Sequence, residues 1–491
     1  MPKIKNSARN KFENLKWEYY KKIQEPINGI TKSQVRAYFG LITWIYEKEY
    51  IQSGGEEKLN AHFNALETAL NIYDKKRKKD EVVSSFKENL HVWRESNKKF
   101  IPRDPGGGEP ICRPPVRMIT EWEKNGLTQI SLFSGAFGLD LGFMAAGFDP
   151  RVALDIDKSS SSTIKANLPD IPFINCDINS VTTKKLLEEA GLGIGEVDVL
   201  VGGPPCQPFS TAGKRLGLKD PRASPLREFI RVVKEAQPRC FVMEEVPGLQ
   251  SARLRHVSIA ERSNRTLLPD EESGSAFKLI TEMLKETRYN IKYEVLNAAD
   301  YGAPQSRKRL IFIGLREGFP CMPEPTHSNT SQLKIGSKQP LLPWTTLWDV
   351  SADLQGCNQE SASLSNKTRE YIELVPPGGN WKTLPDDTKE IAMGGAYTSG
   401  GGKTGYYRRL SWNEPSPTVV ASLTQMATLL CHPEESRSLS IDEYKRVQGF
   451  PDDWTIPGTV PTMYKLIGNA VPVHLSHAIA IKVKEMLINE N

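Results

Sequence analysis

Five short apolar segments constrain this chain more than any other feature: Gln129–Gly135, Arg151–Asp157, Pro172–Ile178, Val197–Gly203 and Arg239–Val246. Each has strand length, and amphipathic stretches of helix length separate them. Such alternation builds βαβ units, and repeated βαβ units make a parallel sheet covered on both faces. Ligands of such sheets collect beyond the C-terminal strand ends, so the chemistry is to be sought where each apolar run stops. Ile291–Leu296 and Leu310–Leu315 read as further strands, and Leu226–Gln237 as a helix.

The flanking regions have a different texture. Residues 1–105 read as a helical extension, because Tyr38, Leu41, Ile42, Ile45 and then Phe63, Leu66, Leu70, Tyr73 recur at steps of three and four. The Pro/Gly stretch 102–115 continues neither helix nor strand, and a linker is placed at 106–126. Residues 127–319 form the main α/β domain. A small domain is expected over 320–463, its part 320–430 loop- or β-rich from its Pro, Gly, Ser and aromatic content. Residues 464–491 return to a helical pattern and are expected to complete the main domain.

Charge and cysteines narrow the function classes. The first 100 residues hold 20 Lys/Arg against 13 Asp/Glu, a surplus larger than the +5 of the whole chain. The run Lys75–Lys79 within it suits a nucleic-acid contact, a localisation tag or a solvated helix face. No apolar run is expected to span a bilayer, and the charged start has no secretory pattern. Seven scattered cysteines without a CxxC pair argue against a disulfide framework and against structural zinc. The expectation is a soluble, intracellular, metal-free protein.

Four constellations carry chemistry. In Ser131–Leu139, Gly135 and Gly138 let backbone approach a ligand where a strand turns into a helix, and Asp155 stands twenty residues after Gly135. An acidic group there suits a ribose diol, which fits any nucleoside cofactor, nicotinamide included. Next, Val197–Val201 runs into Gly-Gly-Pro-Pro-Cys206-Gln-Pro-Phe-Ser210, which puts a thiol among turn formers at the sheet edge. Third, Glu244 ends the neighbouring strand, where burial of a carboxyl favours its proton-donating form. A right-handed crossover sets these two strand ends side by side, bringing Cys206 within a small molecule's reach of Glu244. Last, alternation in the turn Gln305–Arg309 puts Gln305, Arg307 and Arg309 on one face, where guanidiniums can hold a carbonyl oxygen or a phosphate.

With GGPPCQPFS on the page, the chain resembles the DNA (cytosine-5)-methyltransferases of bacterial restriction-modification systems. The ordered motifs SLFSGAFGLDLGF, ALDID, NCDI, GGPPCQPFS, MEEVPGL, QSRKR, RSLSIDEYKRVQGFPDD (437–453) and YKLIGNAVPV (464–473) carry the resemblance over 127–491. It implies a Rossmann-like class I S-adenosylmethionine-dependent methyltransferase fold, with 320–430 as target-recognition region. It also implies methyl transfer to carbon 5 of a cytosine flipped out of duplex DNA, through a covalent adduct of Cys206 at carbon 6.

By the same resemblance Glu244 meets ring nitrogen 3 and the exocyclic amine, while Arg307 and Arg309 lie near the base carbonyl and the catalytic loop. Phe133, Gly135, Gly138, Asp155, Ile156, Asp177, Ile178, Leu226, Asn469, Ala470 and Val471 fall where the family holds S-adenosylmethionine. Gln207, Ser210, Gln305 and Thr418 fall at DNA-contacting positions. Implied partners are double-stranded DNA and a cognate endonuclease, with the protein monomeric on DNA in a prokaryotic cytoplasm. Two positions depart from the pattern. Phe137 replaces a frequent glycine, which predicts altered loop packing, and Glu245 replaces the usual asparagine after the catalytic glutamate. A second carboxylate would raise the proton affinity of Glu244 or pair with an arginine. A tRNA methyltransferase, a non-catalytic DNA-binding protein and a nicotinamide oxidoreductase are the competing readings. The first lacks its usual Cys-Phe-Thr tripeptide here, and the last explains neither GGPPCQPFS nor QSRKR.

Overall fold

The computed structural model describes residues 126–205, 224–255, 257, 259–329, 341–355, 360–399, 403–422 and 426–489. The helical extension, the linker and Cys206, Gln207 and Ser210 lie outside the described residues. By its contacts the chain separates into two units, 1–112 with 348–357, and 113–347 with 358–491. In the first unit, a short helical turn at Ala352–Leu354 is described. Everything below concerns the second.

A seven-stranded sheet organises that unit. Its strands are β1 (Leu127–Leu132), β2 (Phe148–Leu154), β3 (Phe173–Ile174), β4 (Val199–Gly202), β5 (Cys240–Glu245), β6 (Asn290–Asn297) and β7 (Lys308–Leu315). Their spatial order is β3-β2-β1-β4-β5-β7-β6. The first five are parallel, while β7 runs antiparallel to both β5 and β6. The order reverses between β1 and β4, which makes their C-terminal ends the topological switch point. This is the α/β fold of class I methyltransferases.

Two-residue alternation explains why helices cover both faces. Ile130, Leu132, Leu200 and Met243 face a cluster with Leu186 of α3 (Thr183–Ala190), Phe229, Ile230 and Val233 of α4 (Ser224–Ala236) and Ile280 of α5 (Ser275–Lys285). Val199, Val201, Val242, Ile311 and Ile313 face the opposite cluster, with Phe143 of α1 (Gly138–Ala145) and Leu475, Ile479 and Val483 of α8 (Val473–Asn489). Each fully buried aliphatic side chain contributes roughly 1.5–3 kcal/mol, so the two faces supply most of the driving force.

The C-terminal region is two helices, α7 (Val460–Asn469) and α8, where the sequence suggested one. Pro472 follows the break and cannot donate to a continuing helix. The expectation that no run suits a bilayer also needs correcting. Val460–Ile488 is apolar and long enough by composition, yet 67% of its best window is buried inside the protein. A Cβ on Gly142 of α1 would collide with the Ser476 hydroxyl of α8, and that hydroxyl donates to the Leu139 carbonyl. These residues form a core helix pair.

The 320–430 region is less β-rich than its composition suggested. Its described strands are pairs of residues, such as Ser416–Pro417 beside Gln305–Ser306. Helices Asn366–Glu373 and Asp386–Met393 instead enclose Ile372, Val375, Leu384, Met393, Tyr407 and Cys431. Proline and glycine punctuate the segment too often for longer ladders.

Candidate active site

Beyond β1 the chain makes a turn with three left-handed residues, Phe133 (φ 57), Gly135 (φ 53) and Phe137 (φ 73). Two of them carry side chains, at a cost of about 1–2 kcal/mol each. Hydrogen bonds hold the turn: Ser134 N–H donates to the Leu154 carbonyl at 3.2 Å and Gly135 N–H to Asp155 Oδ2 at 2.8 Å. Glycine matters differently at the two positions. Gly135 faces open space, with nothing within 4 Å of an added methyl, whereas a Cβ on Gly138 would stand 2.5 Å from the Val471 carbonyl and 2.9 Å from the Ala470 methyl. Gly138 therefore makes room for the C-terminal segment.

The end of β2 forms the next wall. Asp155 also accepts from Asp157 N–H at 2.7 Å, and burial pushes its pKa above the usual carboxylate value. Asp157 caps α2 (Lys158–Asn167) through Ser159 N–H at 2.9 Å and pairs with Lys465 of α7 at 2.7 Å. The Lys465 ammonium holds its pKa below the usual value. Between these carboxylates Ile156 is 66% exposed, an aliphatic side chain left open at a sheet edge. Asp177 is exposed after β3 and accepts from Asn179 N–H at 2.9 Å. Ile178 and Leu226, also expected at the cofactor, have side chains buried in the core cluster with Leu132 and Leu154. Asn469 is exposed, while Ala470 and Val471 are buried against Gly138.

At the ends of β4 and β5 the sheet register pairs Gly202 with Met243. A Cβ on Gly203 would lie 2.9 Å from a carboxylate oxygen of Glu244, so a side chain here would push the carboxylate from its present position. Three residues on in the chain is Cys206. Glu244 forms an ion pair of 2.5 Å with Arg309 Nε, whose Nη1 donates to the Lys308 carbonyl at 2.8 Å. Glu245 is buried on the opposite face of β5, with Oε2 accepting from Val246 N–H at 3.3 Å. Adjacent strand residues point away from each other, which separates the two carboxylates.

Gln305 and Arg307 behave differently from the reading that aimed them at DNA and base. Gln305 is fully buried: its Nε2 donates to Gln448 Oε1 at 2.6 Å and its Oε1 accepts from Val419 N–H at 2.9 Å. A side-chain amide so engaged has no reach to DNA. Arg307 is 2% exposed and donates to the Val419 carbonyl at 2.7 Å and the Gly468 carbonyl at 2.9 Å. Burial, with help from the nearby Arg309 charge, lowers its pKa to about 9. Thr418 donates to the Ser306 carbonyl at 2.9 Å. Gln448, at the end of α6 (Ile441–Gln448), completes this hub by donating to the Ile467 and Ala470 carbonyls at 2.6 and 2.9 Å. Sequence reasoning misses Gln448, although it lies inside the motif RVQGFP that carries part of the resemblance.

The strand ends thus offer a glycine turn with an open side, an exposed aliphatic surface and carboxylates able to accept from hydroxyl or amine donors. That donor set fits an adenosine-bearing cofactor. The family model for C-5 cytosine-specific DNA methylases matches residues 127–485, from the first residue of β1 into α8. The chain belongs to that family. As a DNA cytosine-5 methyltransferase it is similar to the Type II methyltransferase M.PspPI of Psychrobacter sp., with 34% identity over 429 residues, 83% of this chain and 94% of that one. It is also 34% identical to M.Eco47II of Escherichia coli over 373 residues, 75% of this chain and 81% of that one. Over 240 residues it is 43% identical to M.AquIA of a Picosynechococcus strain, covering 48% of this chain and 91% of that one.

Proposed function

We propose that this methyltransferase modifies carbon 5 of a cytosine flipped out of a specific duplex sequence. The observation that carries this reading is the Glu244–Arg309 pair at the end of β5, against Gly203, where the Gly-Gly-Pro-Pro-Cys206 segment leaves β4. Carbon 5 of cytosine is a weak nucleophile. Addition of the Cys206 thiolate to carbon 6 moves the ring electrons toward carbon 5, and Glu244 steadies the ring through nitrogen 3 and the amine. Arg309 orients Glu244 and sits near the base carbonyl. When bound, S-adenosylmethionine supplies an electrophilic methyl group. Loss of the carbon 5 proton then expels the thiolate and restores the ring.

Phe133, Gly135, Asp155, Ile156, Asp177 and Asn469 would hold that cofactor. The aliphatic side chain of Ile156 offers a surface for the adenine, and the carboxylates accept from hydroxyl and amine donors. The 320–430 region would read the DNA, with Gln207 and Ser210 contacting it beside the flipped base. The protein would act as a monomer in the bacterial cytoplasm, as the modification partner of an endonuclease. The surplus charge of residues 1–105 would extend the DNA footprint, so deleting them should flatten the salt dependence of DNA binding.

Two measurements test the reading together. Bisulfite mapping of DNA from expressing cells should find one methylated sequence, and duplexes with 5-fluorocytosine in that sequence should trap the protein covalently. Methyl label entering bulk tRNA in place of duplex DNA would overturn it.

A further inference from the structure

The chain leaving α6 passes through Phe450 to Trp454, beneath the cofactor turn. The Trp454 ring lies 6.5 Å from that of Phe137 with planes 7° apart, and 6.4 Å from that of Phe450 with planes 23° apart. Phe137 and Phe450 are fully buried, and Trp454 is 4% exposed. The buried indole N–H finds no acceptor among the described residues, so stacking holds the ring in place. The same segment reaches helix α2 twice. Asn167 exchanges two hydrogen bonds with the Thr455 backbone, at 2.7 and 2.9 Å, and Lys465 pairs with Asp157 at 2.7 Å. Residues 450–465 therefore grip both the turn that carries Phe133 and Gly135 and the helix that follows Asp155 and Ile156.

The backbone supplies the second half of the argument. Phe137 sits at φ 73, a conformation that L side chains disfavour, and it is the residue that replaces a frequent family glycine. Backbone bonds close the turn, with Phe137 N–H donating to the Ser134 carbonyl at 2.8 Å. The buried, parallel Trp454 ring is the side chain stacked on Phe137 in that conformation.

We propose that Trp454 is a positioning residue for cofactor binding, which acts by stacking on Phe137 and so holding the Phe133–Phe137 turn in its left-handed form. The inference rests on the methyltransferase reading of the site. It assigns to the segment after α6 control over affinity for S-adenosylmethionine, separate from the chemical step.

The test uses the full chain with Trp454→Leu, Trp454→Phe, Phe137→Gly and the Phe137→Gly/Trp454→Leu double variant. Calorimetric titration with S-adenosylmethionine, without DNA, should show about five- to tenfold weaker binding for Trp454→Leu, and the cofactor KM should rise equally. The kcat at saturating cofactor should stay unchanged, and Trp454→Phe should restore most of the affinity. Phe137→Gly should show the same loss, and the double variant no further loss, because both remove one contact. Phe137→Gly relieves backbone strain but empties a fully buried ring site. Phe137→Leu keeps most of the volume, removes the stacking and is read in the same way, so it keeps the test open should either variant fail to fold. Wild-type affinity in folded Phe137→Gly, or losses that add in the double variant, overturns the proposal. Failure of the wild-type protein itself to bind S-adenosylmethionine would instead refute the methyltransferase reading.

Discussion

Arg309 Nε stands 2.5 Å from a carboxylate oxygen of Glu244, with the two side chains 12% and 13% exposed. A pair this enclosed is coupled, since removing one partner leaves the other charge without compensation. The pair spans β5 and β7, so its geometry depends on the antiparallel register that sets Glu244 across from Ile311 and Glu245 across from Leu310.

Arg309→Met should lower kcat by about 10²–10³-fold, within the range found for removing a group that supports proton transfer. Arg309→Lys should recover only part, because an ammonium lacks the planar fork of the guanidinium. Methyl incorporation into duplex DNA checks both. Cys206→Ser, by contrast, should abolish both turnover and the covalent adduct on 5-fluorocytosine DNA.

Gln448→Leu should destabilise the fold by about 1–3 kcal/mol, because it removes three buried hydrogen bonds and leaves the Ala470 carbonyl without its side-chain donor, while Gln305 Nε2 keeps the Val447 carbonyl and the Ile467 carbonyl keeps Ala470 N–H. Urea denaturation should show the midpoint falling with an unchanged slope. An unaltered midpoint would mean that other groups satisfy these atoms.

Burial raises the pKa of Asp140 in the first turn of α1 to about 7. Ionisation is thus easier in the unfolded chain, where the ordinary value is 3.8. Its influence is absent below that value; stability falls as pH rises from there and the loss is complete above about 7. Asp140→Asn keeps the shape, the bond from Gln129 and a neutral group. It should therefore raise Tm at pH 8, by at most about 4 kcal/mol in stability, with the gain fading toward pH 4. Thermal melts across that range decide it.

Gly138→Ala should cost about 1–3 kcal/mol through overpacking, because its methyl would press on the Val471 carbonyl and the Ala470 side chain. The same methyl on Gly135 meets no atom within 4 Å, but at φ 53 it still strains the backbone. Differential scanning of the two variants separates crowding from strain.

The sequence revealed the positions of the strand ends, because apolar runs stop where burial stops. Asp155 follows β2 and Glu244 lies in the last two residues of β5, as the alternation predicted. Side-chain destinations were harder to read. Gln305 and Arg307 look like surface groups in a turn, and only the arrival of Val419, Gln448 and Gly468, each more than a hundred residues later, turns them inward. Phe137 is similar: the family pattern marks it as a departure, but the ring that packs on it, Trp454, lies more than three hundred residues later. The helical character of the 320–430 region escaped because its short helices are framed by Gly and Pro, which read as loop.

The pairing of α8 with α1 ties Leu139 and Gly142 to Ser476, so a helix near the start of the sheet waits for one made more than three hundred residues later. Until α8 is made, that face of the sheet stays uncovered. A nascent chain stopped before Val473 would therefore carry all seven strands and still leave an apolar sheet face open to a chaperone or to a second unfinished chain.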